Sequence, residues 1–187
     1  MLKRIEEFGK YVLIAGLKGI KIRETDKFLK KFSRESLGVE IQFFDAHVVA
    51  GWQHIYFAVL NALTAFKNKR NVSKSLAMET LLYASAQRQI KKSLKNVGIK
   101  PKTTEVALAI IGDKPETLKS ALNMVVRVAK AKRDDKVLAL TEEKIGGIRE
   151  IFGISDLELE AVMEKDDLKK ALADIVMERM ALLATQV

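Results

Sequence analysis

Cysteine is absent from this chain of 187 residues, proline and histidine occur twice each, and tryptophan once. Without thiols, disulfides and thiolate metal sites are excluded, and a reducing, cytoplasmic compartment suits the chain. Two histidines leave little for imidazole catalysis. Asp45 and His47 offer two metal ligands with no third nearby, and His54 lies in an apolar stretch, as a hydrogen-bonded core residue would. There is no glycine-rich phosphate loop, since Gly146-Gly147 is not followed by Lys-Ser/Thr, and no GxSxG nucleophile motif. No catalytic residue, metal or cofactor is therefore expected, and the chain does not read as an enzyme.

Long uncharged runs are scarce. Val48 to Phe66 spans 19 residues without Lys, Arg, Asp or Glu, but Gly51, Gln53, His54 and Asn61 interrupt it, so it reads as a buried core helix rather than a membrane span. The apolar run Tyr11 to Ala15 is too short for a signal peptide. No linker divides the chain, and 48% hydrophobic residues over this length predict one domain across 1–187 with a substantial core.

What the chain does have is a localised charge. Asn61 to Lys102 holds ten basic residues and one acid, Glu79, a net +9 that equals the +9 of the whole chain. From Asp134 onward, 13 acids face 7 bases, a net −6. A field confined to one segment points to a polyanionic partner, because folding itself does not require it. The alternative is a solvated basic face without a specific partner. Tyr83 is the only aromatic residue between Phe66 and Phe152. Backbone contacts or capture of a nucleic-acid end are thus expected over base-by-base stacking.

The patterning predicts an α/β (α+β) fold. Strands are expected at Tyr11–Gly16, Val39–Phe44, Glu105–Gly112 and Lys136–Leu140. Thr25 should cap a short helix with Phe28, Leu29 and Phe32 on one face, stopping near Gly38. An apolar helix should cover Gln53–Phe66. Asn71 or Ser73 should cap a helix to about Ala84, and Ser85 a second one ending at Gly98, with Arg88, Lys91, Lys92 and Lys95 on one face and Ile90, Leu94 and Val97 on another. Asp113, Pro115 and Glu116 should start a helix to about Ala131. The part from 141 to 187 reads as helical, with Thr141 as a cap, Ser155 and Glu158 as a capping box, and a last helix over Asp167–Leu183.

The runs Ala58–Leu63, Asn71–Ile90 and Leu94–Ile99 resemble the kinase-binding subunit of the KEOPS/EKC complex, whose animal relative is the PRPK-binding protein. Leu81-Leu-Tyr-Ala-Ser85 followed by Arg88-Gln-Ile90 is the most specific part, and the end, Ile151–Ser155 and Ala173–Met180, is similar as well. The likeness covers the chain from about Val39 and is weak over 1–38. Where the family pattern has Gly after the Ser, this chain has Ala86. The resemblance implies an archaeal-type, non-catalytic regulatory subunit in the biosynthesis of threonylcarbamoyladenosine at position 37 of tRNA. It implies a single domain with a mixed, mostly antiparallel sheet of about four to five strands. Two partners are implied, the small lobe of an atypical kinase/ATPase subunit and the 3′ CCA end of tRNA.

Holding a tRNA tail needs cations for phosphates and a small pocket for an unstacked base. On this resemblance Lys69, Arg70, Lys74, Arg88 and Lys91 are the cation candidates. Asn71, Ser75, Glu79 and Gln89 are candidates for polar contacts, and Leu82 or Tyr83 for an apolar wall. Four have a second reading: Asn71 as a helix cap, Glu79 as a neutraliser of Lys74 or a solvated acid, and Leu82 and Tyr83 as plain core. For the kinase the tail offers Ile151, Phe152, Ile154 and Leu157 beside Glu150, Asp156, Glu158 and Glu160, apolar groups rimmed by charge.

Overall fold

The computed structural model describes residues 1–33, 38–165 and 167–185. Its strands are β1 (Leu2–Ile5), β2 (Lys10–Lys18), β3 (Glu40–Asp45), β4 (Glu105–Gly112) and β5 (Lys132–Arg133). Its helices are α1 (Thr25–Ser33), α2 (Trp52–Lys67), α3 (Leu76–Ala84), α4 (Ile90–Val97), α5 (Pro115–Ala129), α6 (Glu142–Phe152), α7 (Asp156–Val162) and α8 (Leu168–Leu183).

The sheet is antiparallel at every pairing, in the order β1-β2-β4-β3, with β5 pairing the end of β2 that β1 leaves open. The strand period of two sorts side chains cleanly. Val12 and Ile14 of β2, with Ala107, Ala109 and Ile111 of β4, enter a core under α2, α3 and α8. Leu13, Ala15 and Leu17, with Val106, Leu108 and Ile110, enter a second core under α1 and α5. Helices on both faces explain why β2 and β4 are apolar almost throughout instead of alternating. A third core joins α6, α7 and α8 around Ile148, Leu172 and Val176. Gly16 is needed where it stands, because a Cβ there would collide with the Asp134 carbonyl and Val137.

Several expected boundaries move. Ser75, not Asn71 or Ser73, caps α3: its Oγ accepts from Met78 N at 3.3 Å, while Asn71 donates to Ser73 O instead. Ser85 starts no helix. It ends α3, is fully buried, and has its hydroxyl within hydrogen-bond distance of both Leu82 O (3.0 Å) and Ser93 Oγ (2.7 Å). The next helix begins only at Ile90, which leaves Arg88 before the helix and Gln89 at its cap. Ile90 and Leu94 lie 40% and 38% exposed, so the apolar face expected of that helix is largely open, and Val97 alone of the three is buried. Gly98 ends α4 in extended backbone. Its lack of a Cβ admits close contact with Leu94 O, 2.6 Å from where that Cβ would stand.

Lys114, not Asp113, precedes Pro115 at the start of α5, and Asp113 pairs with Lys10 at 2.6 Å. Residues 135–138 form a 3₁₀ turn, not a strand, because Asp134 accepts from Lys136 N and turns the chain; the strand lies earlier, at β5. The described part of α1 ends at Ser33, and residues 34–37, leading to the stop expected near Gly38, lie outside the described residues. None of the described helices is long and apolar enough to cross a membrane. The 19-residue uncharged stretch is mostly α2, with seven of its residues buried in the core.

Candidate nucleic-acid interface

Two helix ends build the site. At the end of α2, Lys69 N bonds Phe66 O at 3.2 Å and Arg70 N bonds Ala65 O at 2.8 Å, with Lys69 left-handed at φ 56°. At the end of α3, Ala86 N bonds Tyr83 O at 2.9 Å and Gln87 N bonds Leu82 O at 3.1 Å, with Ala86 left-handed at φ 48°. Both are Schellman caps, and both place a non-glycine residue where glycine is favoured. Each turns the chain directly before or at an arginine. Arg70 and Arg88 thereby meet at one cavity of about 340 Å³, walled by Tyr83, by Asn61 and Thr64 of α2 with Asn68 just after it, and by Ala184 after α8.

The loop between the two helices is held from beneath. Glu79 is 2% exposed, and its Oε2 accepts from Val72 N at 3.0 Å and Ser73 N at 2.7 Å. Glu79 is thus a structural acceptor that shapes the loop, and among the described residues it pairs with no lysine. Leu82 is core at 1% exposure. Tyr83 is mostly buried but reaches the cavity wall, and burial pushes its phenol up, with Glu79 adding and Arg88 opposing. Of the polar candidates, Asn71 is half-buried in a local loop bond, Ser75 is half-buried between its cap bond and Glu40 Oε2 of β3, to which its hydroxyl donates at 3.3 Å, and Gln89 is exposed. Lys69, Lys74 and Lys91 are exposed outside the cavity lining.

Sequence reasoning missed Asn61, Thr64 and Asn68. Their three- and four-residue spacing on an otherwise apolar helix was the available signal. Thr64 Oγ1 and Asn61 Nδ2 donate to carbonyls of their own helix, at Leu60 and Phe57, which leaves the Asn61 side-chain oxygen as an acceptor toward the cavity.

His54 fixes the geometry. It is 1% exposed, accepts from Ala50 N at Nδ1 (3.1 Å) and donates from Nε2 to Ala84 O (2.7 Å). Burial lowers its pKa to about 4, so the ring is neutral and ties the start of α2 to the end of α3. Among the described residues no three His, Cys, Asp or Glu side chains gather to hold a metal, and Asp45 instead accepts from His47 N.

The expected kinase residues are dispersed. Phe152 and Ile154 lie in the third core, Ile151 is half-buried, and Leu157 is 78% exposed. Burial thus leaves Leu157, and part of Ile151, open to a partner.

The chain matches the family described as Kinase binding protein CGI-121 over residues 21–184. It belongs to that family. The match begins well before Val39, so the likeness takes in part of the region over 1–38 whose motifs resemble the family weakly. A member named Regulatory protein Cgi121, from Methanocaldococcus jannaschii, is 35% identical over 132 residues, which is 70% of this chain and 83% of the relative. Kinase binding thus attaches to the CGI-121 family by name, and a regulatory role to this relative.

Proposed function

We propose that this chain is the non-catalytic, cytoplasmic regulatory subunit of a KEOPS complex, serving threonylcarbamoylation of tRNA adenosine 37. It binds the atypical kinase/ATPase subunit and grips the 3′ CCA end of tRNA, and it uses no cofactor. One observation carries the RNA part: two guanidinium groups without an ion pair among the described residues, Arg70 and Arg88, converge on a cavity that also has an aromatic wall and amide groups. Guanidinium forks suit phosphates, and a cavity of this size accepts an unstacked base with its ribose. Lys69, Lys74 and Lys91 extend the positive field along the incoming strand. Asn71, Ser75, Glu79 and Leu82 act by shaping the loop and wall, and Gln89 stands at the rim.

The test compares binding of full-length tRNA with the same tRNA lacking its CCA, across a salt series. End capture predicts loss of binding on trimming, with a slope of about 0.7 per phosphate contacted on a single strand. A second reading, general nucleic-acid binding outside this complex, draws on the exposed Lys91, Lys92 and Lys95 of α4. Equal binding to both RNAs, falling steeply with salt, would establish it instead.

A further inference from the structure

β1 and β5 pair the same edge of β2, β1 over Lys10–Leu13 and β5 over Leu17–Lys18. Directly paired residues share a face, so Leu2 stands with Leu13, and Arg133 with Leu17, on the side of the sheet that α5 covers. Between Leu13 and Leu17 that face carries only the methyl group of Ala15. Here a cavity of about 370 Å³ lies between the sheet edge and α5. Leu2, Leu13 and Leu122 form its apolar side, and Lys119, Asn123 and Arg133 its polar side.

The polar groups are available to a ligand. Asp135 accepts from Arg133 Nη2 at 2.7 Å and from Nε at 3.3 Å, and is itself held by Gly16 N at 2.9 Å. The guanidinium is thus fixed in place with its Nη1 left over. Lys119 has no ion pair among the described residues, Asn123 is exposed, and Arg127 stands one turn further along α5. Glu116 is the one acid of α5, and none of the described lining residues is a carboxylate. The dipole at the end of α5 accounts for Arg127, but not for Lys119, which stands in the first half of the helix. In the linear count these cations are hidden, because the tail's excess of acid offsets them. In the fold the tail lies on the other face of the sheet, with α8 in the first core and α6 and α7 packed on α8.

We propose that this cavity is a second anion site, and that it binds one nucleoside phosphate. Lys119 and Arg133 Nη1 meet the phosphate, Asn123 hydrogen-bonds the sugar or the base edge, and the three leucines cover a base. A bare phosphate would leave the leucines uncovered, and about 370 Å³ lies in the range of pockets that enclose a small ligand. The nucleotide is either free or one residue of an RNA chain. The Arg70–Arg88 cavity is a separate place, among α2, α3 and the end of α8.

The test is a two-dimensional amide NMR titration of the whole chain with AMP, inorganic phosphate and an octa-adenylate RNA, in wild-type protein, K119E and N123D. The Leu122, Asn123 and Arg133 resonances should move with AMP at a Kd of about 1 mM or tighter, and phosphate should bind there at least tenfold more weakly. Both substitutions change exposed side chains and keep the fold. Each should weaken AMP at least tenfold at these resonances, while any AMP binding read at Tyr83 and Arg88 stays within twofold. RNA binding at least tenfold tighter than AMP at the same resonances assigns the site to an RNA residue, and equal or weaker binding assigns it to a free nucleotide. Shifts confined to Tyr83 and Arg88, phosphate binding as tightly as AMP, or unchanged affinity in both variants overturns the assignment. The Arg70–Arg88 reading stands or falls separately, at its own resonances.

Discussion

The basic segment and the helical tail use charge in opposite ways. Of the ten cations between Asn61 and Lys102, Lys67 alone has an ion-pair partner among the described residues, Glu7 at 2.9 Å. In the tail, Arg149, Lys169, Lys170 and Arg179 meet Asp156, Glu142, Glu164 and Glu158. All four of these tail cations are closed by acids, although the tail's acids outnumber its bases. Segment charges are left open, some on loops held by a buried carboxylate and two strained caps and some along α4. Exposed pairs contribute little to stability, and unpaired like charges mildly oppose folding. The open cations are therefore not explained by the fold.

Breaking the open charges should have the largest effect. R70E with R88E should lower tRNA affinity roughly a thousandfold, about 4 kcal/mol, if each guanidinium meets one phosphate. The salt slope should fall by about 1.4. Neutralising the tail pair with K169Q should leave RNA binding unchanged in the same assay.

Acid should separate the two regions next. His54 has a folded pKa of about 4, below its ordinary 6.5. The unfolded chain therefore takes up a proton first, and stability falls as pH drops from about 6.5 toward about 4, by up to about 1.4 kcal/mol per unit and about 3 kcal/mol in all. Tail carboxylates such as Glu164, held low by its bond to Lys170, lose their contribution only below their ordinary range near 4.5. Urea unfolding between pH 7 and 5 should thus report His54, and H54Q should flatten the slope there.

Removing the acceptor under the loop should come third. E79A leaves Val72 and Ser73 N–H groups without their partner, costing about 1–3 kcal/mol in thermal unfolding, and should loosen tRNA binding without touching the RNA directly. The smallest effect should be a gain: A86G relieves the left-handed alanine at the α3 cap and should stabilise by about 1 kcal/mol. This is the one position where the chain departs from the quoted family motif, and it is a backbone-strained one.

Much of the fold was legible. β4 and the helix Glu142–Phe152 fall where periodicity put them, and the Ser155–Glu158 capping box is present. These signals are local, carried by residues within one turn or one pleat of each other. The misplaced boundaries at Ser75, Ser85 and 136–140 arose where several residues can cap or turn and long-range packing chooses among them. Ser85, for instance, is drawn into a buried hydrogen bond with Ser93, eight residues on.

Composition alone dictated where the net charge lies and ruled out thiol chemistry, and pattern alone dictated which strands are buried on both faces, because these depend on residue type and spacing. Which cations share a cavity, that Glu79 faces inward, and that Phe152 and Ile154 are core while Phe57 is open were decided only by tertiary structure. Those properties depend on how α2, α3 and α8 meet, and helices that are distant in sequence come together through packing that no local spacing encodes.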